Sequence, residues 1–172
     1  TEQWEGYGFG MRNSAHQDVC AGDLAFEIAL NHVENVAQVF AETGTFWENY
    51  APESTAPGVR AKPDFVGWTG ISAISIPLEY LIGIKQDAAA HTINWAVRLT
   101  ERHGVCRYAL GRGGTADLIC EARPNNETPP LVTVETDAEF NLVIVWDYAT
   151  YEYPIEPGST RLDLSKKEWT YG

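Results

Sequence analysis

The chain has 172 residues, enough for one medium domain or two small ones. Its net charge of −12 argues against nucleic acid, whose affinity rests on Lys and Arg against phosphates, and against anionic membrane surfaces. No apolar run approaches the roughly 20 residues of a membrane helix, and no signal-peptide pattern is present, so location is left open with a soluble, cytoplasmic chain favoured.

Residues 1–17 are rich in Gly and aromatic residues without periodicity and read as an irregular arm. Residues 18–43 carry the strongest helical signal. Phe26, Ala29, Leu30, Val33, Val36, Ala37 and Phe40 fall on one face, opposite Asp23, Glu27, Asn31, Glu34 and Gln38. Asp18 is a candidate N-cap and Gly44 a candidate C′ residue. His32 sits beside the apolar face, and with no His or Cys at i+4 it reads as a core-edge histidine rather than a ligand.

A long loop follows, broken by Pro52, Pro57, Gly58 and Pro63. Loops of this length inside compact domains are usually functional. This one holds Trp47, Glu48, Tyr50, Asp64, Phe65 and Trp68. Aromatic faces interspersed with carboxylates suit a sugar ring, which offers apolar CH faces and hydroxyl hydrogens. A second helix is predicted from Trp68 or Thr69 to about Ile82, apolar nearly all round and therefore expected to be buried between others. Pro77 inside it should force a kink or a local adjustment, and Gly83 closes it.

From Ala90 the period changes to two. Ile93, Trp95, Val97 and Leu99 alternate with Asn94, Ala96 and Arg98, and six further strands follow at short spacing to Leu164. Trp95 and Trp146 run in phase with core residues and read as buried, while Tyr148, Tyr151 and Tyr153 form a cluster with an outward option. Cys20, Cys106 and Cys120 form no C-x-x-C motif; a Cys106–Cys120 disulfide between neighbouring strands is left open, with buried thiols the default.

The predicted fold is α+β: two helices and their loop over residues 1–89, then an antiparallel β-sandwich of about seven strands over 90–172. Two helices, one of them apolar all round, cannot bury each other completely. The unburied side calls for more helices, supplied by the same parent chain, a second chain or another copy.

Two loop elements carry a family resemblance. Trp47-Glu48-Asn49-Tyr50-Ala51-Pro52 and Phe65-Val66-Gly67-Trp68-Thr69-Gly70 resemble the C-terminal part of the (α/α)6-toroid glycoside hydrolases. The similarity is to mannosylglycerate hydrolase-like proteins, related to glucosidase I-type α-glucosidases and to trehalases. The stretches Leu30–Val36, Arg98–Val105 and Tyr108–Gly111 fit the same group. The resemblance implies two helices of a partial toroid that hydrolyses O-glycosides with inversion, without metal or organic cofactor. Inversion needs two carboxyl groups about 6.5–9.5 Å apart, one donating a proton to the leaving oxygen and one activating water. The family's general base matches Glu48. Its general acid lies on an earlier toroid loop with no match here, so the isolated 172 residues are expected to be inactive. Trp68, Tyr50 and Asp64 are the candidate substrate contacts. Arg60 and Lys62 read as solvated loop charges before an acidic-sugar site. The alternative is a non-catalytic carbohydrate-binding or structural accessory module.

Overall fold

The structure, a computed structural model, describes residues 22–51, 54, 56–58, 66 and 69–166. The chain divides into two compact units, Thr1–Leu81 and Ile82–Gly172. The fold is α+β and mostly β. Among the described residues no helix is long and apolar enough to cross a membrane.

In the first unit, helix α1 spans Gly22–Thr43 and helix α2 spans Thr69–Ile76. Asp18 lies outside the described residues. Gly44 ends α1 as expected: its φ is 72°, and its N–H donates to the Phe40 carbonyl at 2.8 Å, the single bond of a left-handed C-terminal cap. From Pro77 to Ile82 the chain continues α2 as a π-helix. Proline brings no N–H and its ring crowds the carbonyl four residues back, so the wider turn is the adjustment that keeps the helix going. Ala29 of α1 packs with Ile76 and Tyr80, and Ile28 packs against them.

The burial of these helices differs from the expectation. Ala29, His32 and Val39 are the buried positions of α1, whereas Leu30 and Phe40 are exposed. Along α2, Ile76 is buried, yet Ile71 is 48% and Ile74 is 71% exposed. The apolar residues of this helix are therefore not all covered, as full burial between other helices would require.

The second unit has eight strands in two sheets: β1 Ile84–Asp87, β2 Thr92–Ala96, β3 His103–Ala109, β4 Thr115–Cys120, β5 Leu131–Thr136, β6 Phe140–Trp146, β7 Ala149–Ile155 and β8 Gly158–Asp163. Their orders are β1-β2-β6-β7 and β3-β4-β5-β8. β1 precedes Ala90 and was missing from the expected strands. It is an edge strand in which Ile84 alone is fully buried, so it leaves no alternating signature. All pairs are antiparallel except β2–β6, a correction to the all-antiparallel expectation. A parallel pair needs a long crossover. Here β3, β4 and β5 supply it while building the other sheet.

Period-two burial places Ile93, Trp95, Leu142 and Ile144 on the inner face of one sheet and Leu118, Cys120, Val132 and Val134 on that of the other, all fully buried. The Trp95 ring meets His103 edge-on at 5.8 Å, and its indole N–H donates to the Ile82 carbonyl at 2.9 Å. Trp146, expected to be buried, is half-buried. β3 and β4 do pair, but the register sets Cys120 opposite His103 while Cys106 falls in the bulge between Val105 and Tyr108. Both thiols are free, and burial pushes that of Cys120 up to about 11.

Arg123 is buried and holds the segment after β2 against the loop before β5. Its guanidinium donates to the carbonyls of Val97, Arg98, Leu99 and Thr128 at 3.0–3.4 Å. Removing it would strand buried carbonyls. We expect Arg123→Ala to destabilise the second unit by about 3 kcal/mol in urea unfolding.

His103 gives this unit a pH dependence. Its Nδ1 lies 2.7 Å from the Glu101 carbonyl and must carry the proton there, which leaves Nε2 as a bare, buried nitrogen without a hydrogen-bond partner. Burial foremost, and the Arg123 charge, hold its pKa below the ordinary 6.5, against the raising influence of the Glu101 carbonyl and carboxylate. The unfolded chain therefore takes up this proton first, and stability falls as pH drops below about 6.5. The melting temperature of the second unit should decline from pH 7 to 5.5 more steeply in the wild type than in His103→Gln.

Candidate functional site

The candidate loop begins where α1 ends. The Thr43 hydroxyl donates to the Val39 carbonyl at 2.7 Å and accepts the Thr45 N–H at 3.3 Å, which turns the chain at the last helical residue. The Phe46 ring then stacks at a tilt on Phe40, with centroids 5.4 Å apart. Trp47 and Glu48 follow directly, so the position of Glu48 is inherited from the helix end.

Three interactions make the described part of this loop compact. The Tyr50 hydroxyl accepts the Trp47 N–H at 3.1 Å, bracketing Glu48 between them. Tyr50 and Pro57 form an antiparallel bridge, and the Ala51 N–H donates to the Ala56 carbonyl at 2.9 Å. The Gly58 N–H donates to the Asn49 carbonyl at 3.1 Å. A Cβ at Gly58 would meet the Asn49 side-chain amide, which would have to turn away to admit it. Residues 49–51 and 56–58 thus fold back on each other, with Glu48 just before them.

Glu48 is half-buried, and Trp47 and Asn49 flank it at similar depth. Tyr50 is only 4% exposed, and burial raises its phenol above the ordinary 10 despite the bond from Trp47. The ring is enclosed while the hydroxyl organises the backbone beside Glu48. The Trp47 indole nitrogen is buried and has no hydrogen-bond partner. Asp64, Phe65 and Trp68, with Arg60 and Lys62, lie outside the described residues. Of the expected site, then, Glu48 and Tyr50 lie among the described residues.

The second unit holds its own acidic cavity, about 400 Å³, lined by Asp117, Glu135, Asp137 and small polar residues. Two of these carboxylates serve the fold, Asp117 accepting the Arg107 N–H and Asp137 the Thr115 N–H, both at 2.6 Å. Among the described residues no group of three or more His, Cys, Asp and Glu could hold a metal ion.

Residues 8–76 match the family model of the glycosyl hydrolase family 63 C-terminal domain. The matched segment contains α1, the Glu48 loop and α2, and it supports a glycoside hydrolase family for this part of the chain. It ends before β1, so the resemblance expected in Arg98–Val105 and Tyr108–Gly111 has no counterpart in it. No curated protein and no solved structure matches the chain.

Deleting one hydroxyl tests the loop geometry. Tyr50→Phe leaves the Trp47 N–H without its acceptor, a loss of about 1 kcal/mol. Amide exchange at Trp47 should then be about fivefold faster than in the wild type.

Proposed function

We propose that the first unit is the C-terminal part of an (α/α)6-toroid glycoside hydrolase of the mannosylglycerate hydrolase-like kind, and that Glu48 is its general base. The observation that carries this reading is the family match over residues 8–76, because it spans Glu48 and the helices on either side of its loop. The exposed apolar residues Leu30, Phe40, Ile71 and Ile74 support it as well. Helices in a closed toroid have neighbours on both sides, which would cover apolar side chains left partly exposed here.

In this mechanism the Glu48 carboxylate takes a proton from water, which attacks the anomeric carbon from the face opposite the leaving group. The acid that protonates the leaving oxygen comes from further toroid helices, which is why the 172 residues alone are not expected to turn over substrate. Half-burial beside Trp47 limits water around the carboxylate while leaving one side open to a substrate. Tyr50 fixes the Trp47–Glu48 backbone. Trp68 stacks on the sugar and Asp64 accepts from a hydroxyl. No cofactor takes part.

The exposed helix faces also favour a second reading, in which the unit docks on a helical partner as a non-catalytic accessory. The two readings part on Glu48. In the complete helical assembly, Glu48→Gln should lower glycoside hydrolysis by about a thousandfold while sugar binding persists. Proton NMR of the wild-type reaction should show a first-formed product of inverted anomeric configuration. Undiminished hydrolysis by Glu48→Gln would remove Glu48 from the role, and an assembly that binds sugar but never cleaves it would favour the accessory.

A further inference from the structure

The hairpin between β6 and β7 turns on Asp147 and Tyr148, with φ of 48° and 57°. Positive φ at both central residues is a type I′ turn, whose second position ordinarily takes Gly because a Cβ crowds the backbone there. Asp tolerates this conformation; a bulky aromatic residue is among the least suited to it. Tyr148 is nevertheless there, and it is 100% exposed. Core packing therefore contributes nothing to the choice of a large ring.

The tip is firmly supported. Trp146, at the end of β6, packs on Tyr151 with ring centroids 6.4 Å apart and donates its indole N–H to the Asn126 carbonyl at 3.1 Å. That bond ties the hairpin to the 124–130 loop. The loop is itself pinned by the Asn125 side-chain oxygen, which accepts from the N–H groups of Glu127 and Thr128 and from the Thr128 hydroxyl at 2.9–3.1 Å. One aromatic ring thus projects into water from a rigid end of the sheet. Exposed side chains of Asp147, Asn126 and Glu127 belong to the same two connections.

We propose that this tip is a binding site for a neutral glycan, with the Tyr148 ring as the stacking face for a pyranose. The chemistry favours a sugar over the other partners. A pyranose needs one aromatic face for its CH groups and nearby amide and carboxylate oxygens for its hydroxyls. A protein hot spot needs apolar neighbours around the anchor, and the exposed side chains of these two connections, Asp147, Asn126 and Glu127 among them, are polar. An anionic partner would meet Asp147 and Glu127 in a chain of net charge −12. The site belongs to the second unit and works without hydrolysis.

The test is affinity electrophoresis of the 172-residue chain through native gels containing soluble starch, mixed-linkage β-glucan or mannan. We expect at least one polysaccharide to retard the wild type. Tyr148→Gly should weaken that retardation at least tenfold, and Tyr148→Phe, which keeps the ring, should preserve most of it. Because Gly suits the turn, Tyr148→Gly should melt no lower than the wild type, so lost retardation would not reflect unfolding. Equal retardation of wild type and Tyr148→Gly overturns the proposal. So does a Tyr148→Phe loss as large as that of Tyr148→Gly, or a wild type that none of the three polysaccharides retards.

Discussion

Apolar surface has to be covered, and the two units meet that requirement to different degrees. In the β unit, Ile93, Trp95, Leu118, Val132, Val134, Leu142 and Ile144 are shielded completely. In the helical unit, Ile74 is 71% and Phe40 52% exposed. A fully buried Ile or Phe side chain stabilises by about 1.5–3 kcal/mol relative to an exposed one. Leu30, Phe40, Ile71 and Ile74, 40–71% exposed, forgo part of that stabilisation. The match to a glycosyl hydrolase family 63 C-terminal domain covers the same two helices whose apolar residues are partly exposed.

The candidate site depends on this arrangement from below. Gly44 stops α1, Thr43 turns the chain, Phe46 covers Phe40, and Glu48 emerges two residues later. Tyr50 then fixes the local backbone through one hydrogen bond, while the Gly58 N–H donates to the Asn49 carbonyl. None of these residues needs to touch a substrate for a change in it to move the carboxylate. Precision at the reacting group is built on the packing beneath it.

Much of this was legible in the sequence, for identifiable reasons. Period-two alternation marked β2, whose burial alternates, and short spacing between turn residues marked the later strands. Gly44, Gly83 and Pro77 announced their positions through backbone chemistry alone. β1 escaped because an edge strand with a single fully buried residue has no period to read. The parallel β2–β6 pairing escaped because strand direction depends on which distant strands meet, and local patterning does not carry that. The burial of α1 was misjudged at Leu30 and Phe40, since a stripe shows which side wants cover without showing whether cover is present. Glu48 stood out only through its aromatic neighbours and the family resemblance; an isolated loop carboxylate has no signature of its own. The Tyr50 hydroxyl bond could not be foreseen, because it depends on a turn geometry that loop sequences rarely specify.

The central claim is that the helical unit is one part of a larger helical glycosidase assembly. The most direct test is the native and denaturing mass of the particle that carries this sequence in its source cells. The account predicts additional helical polypeptide, on the same chain, on a second chain or as further copies, with Leu30, Phe40, Ile71 and Ile74 protected from surface labelling. A stable monomer of 19.1 kDa with those four side chains open to the reagent would contradict it.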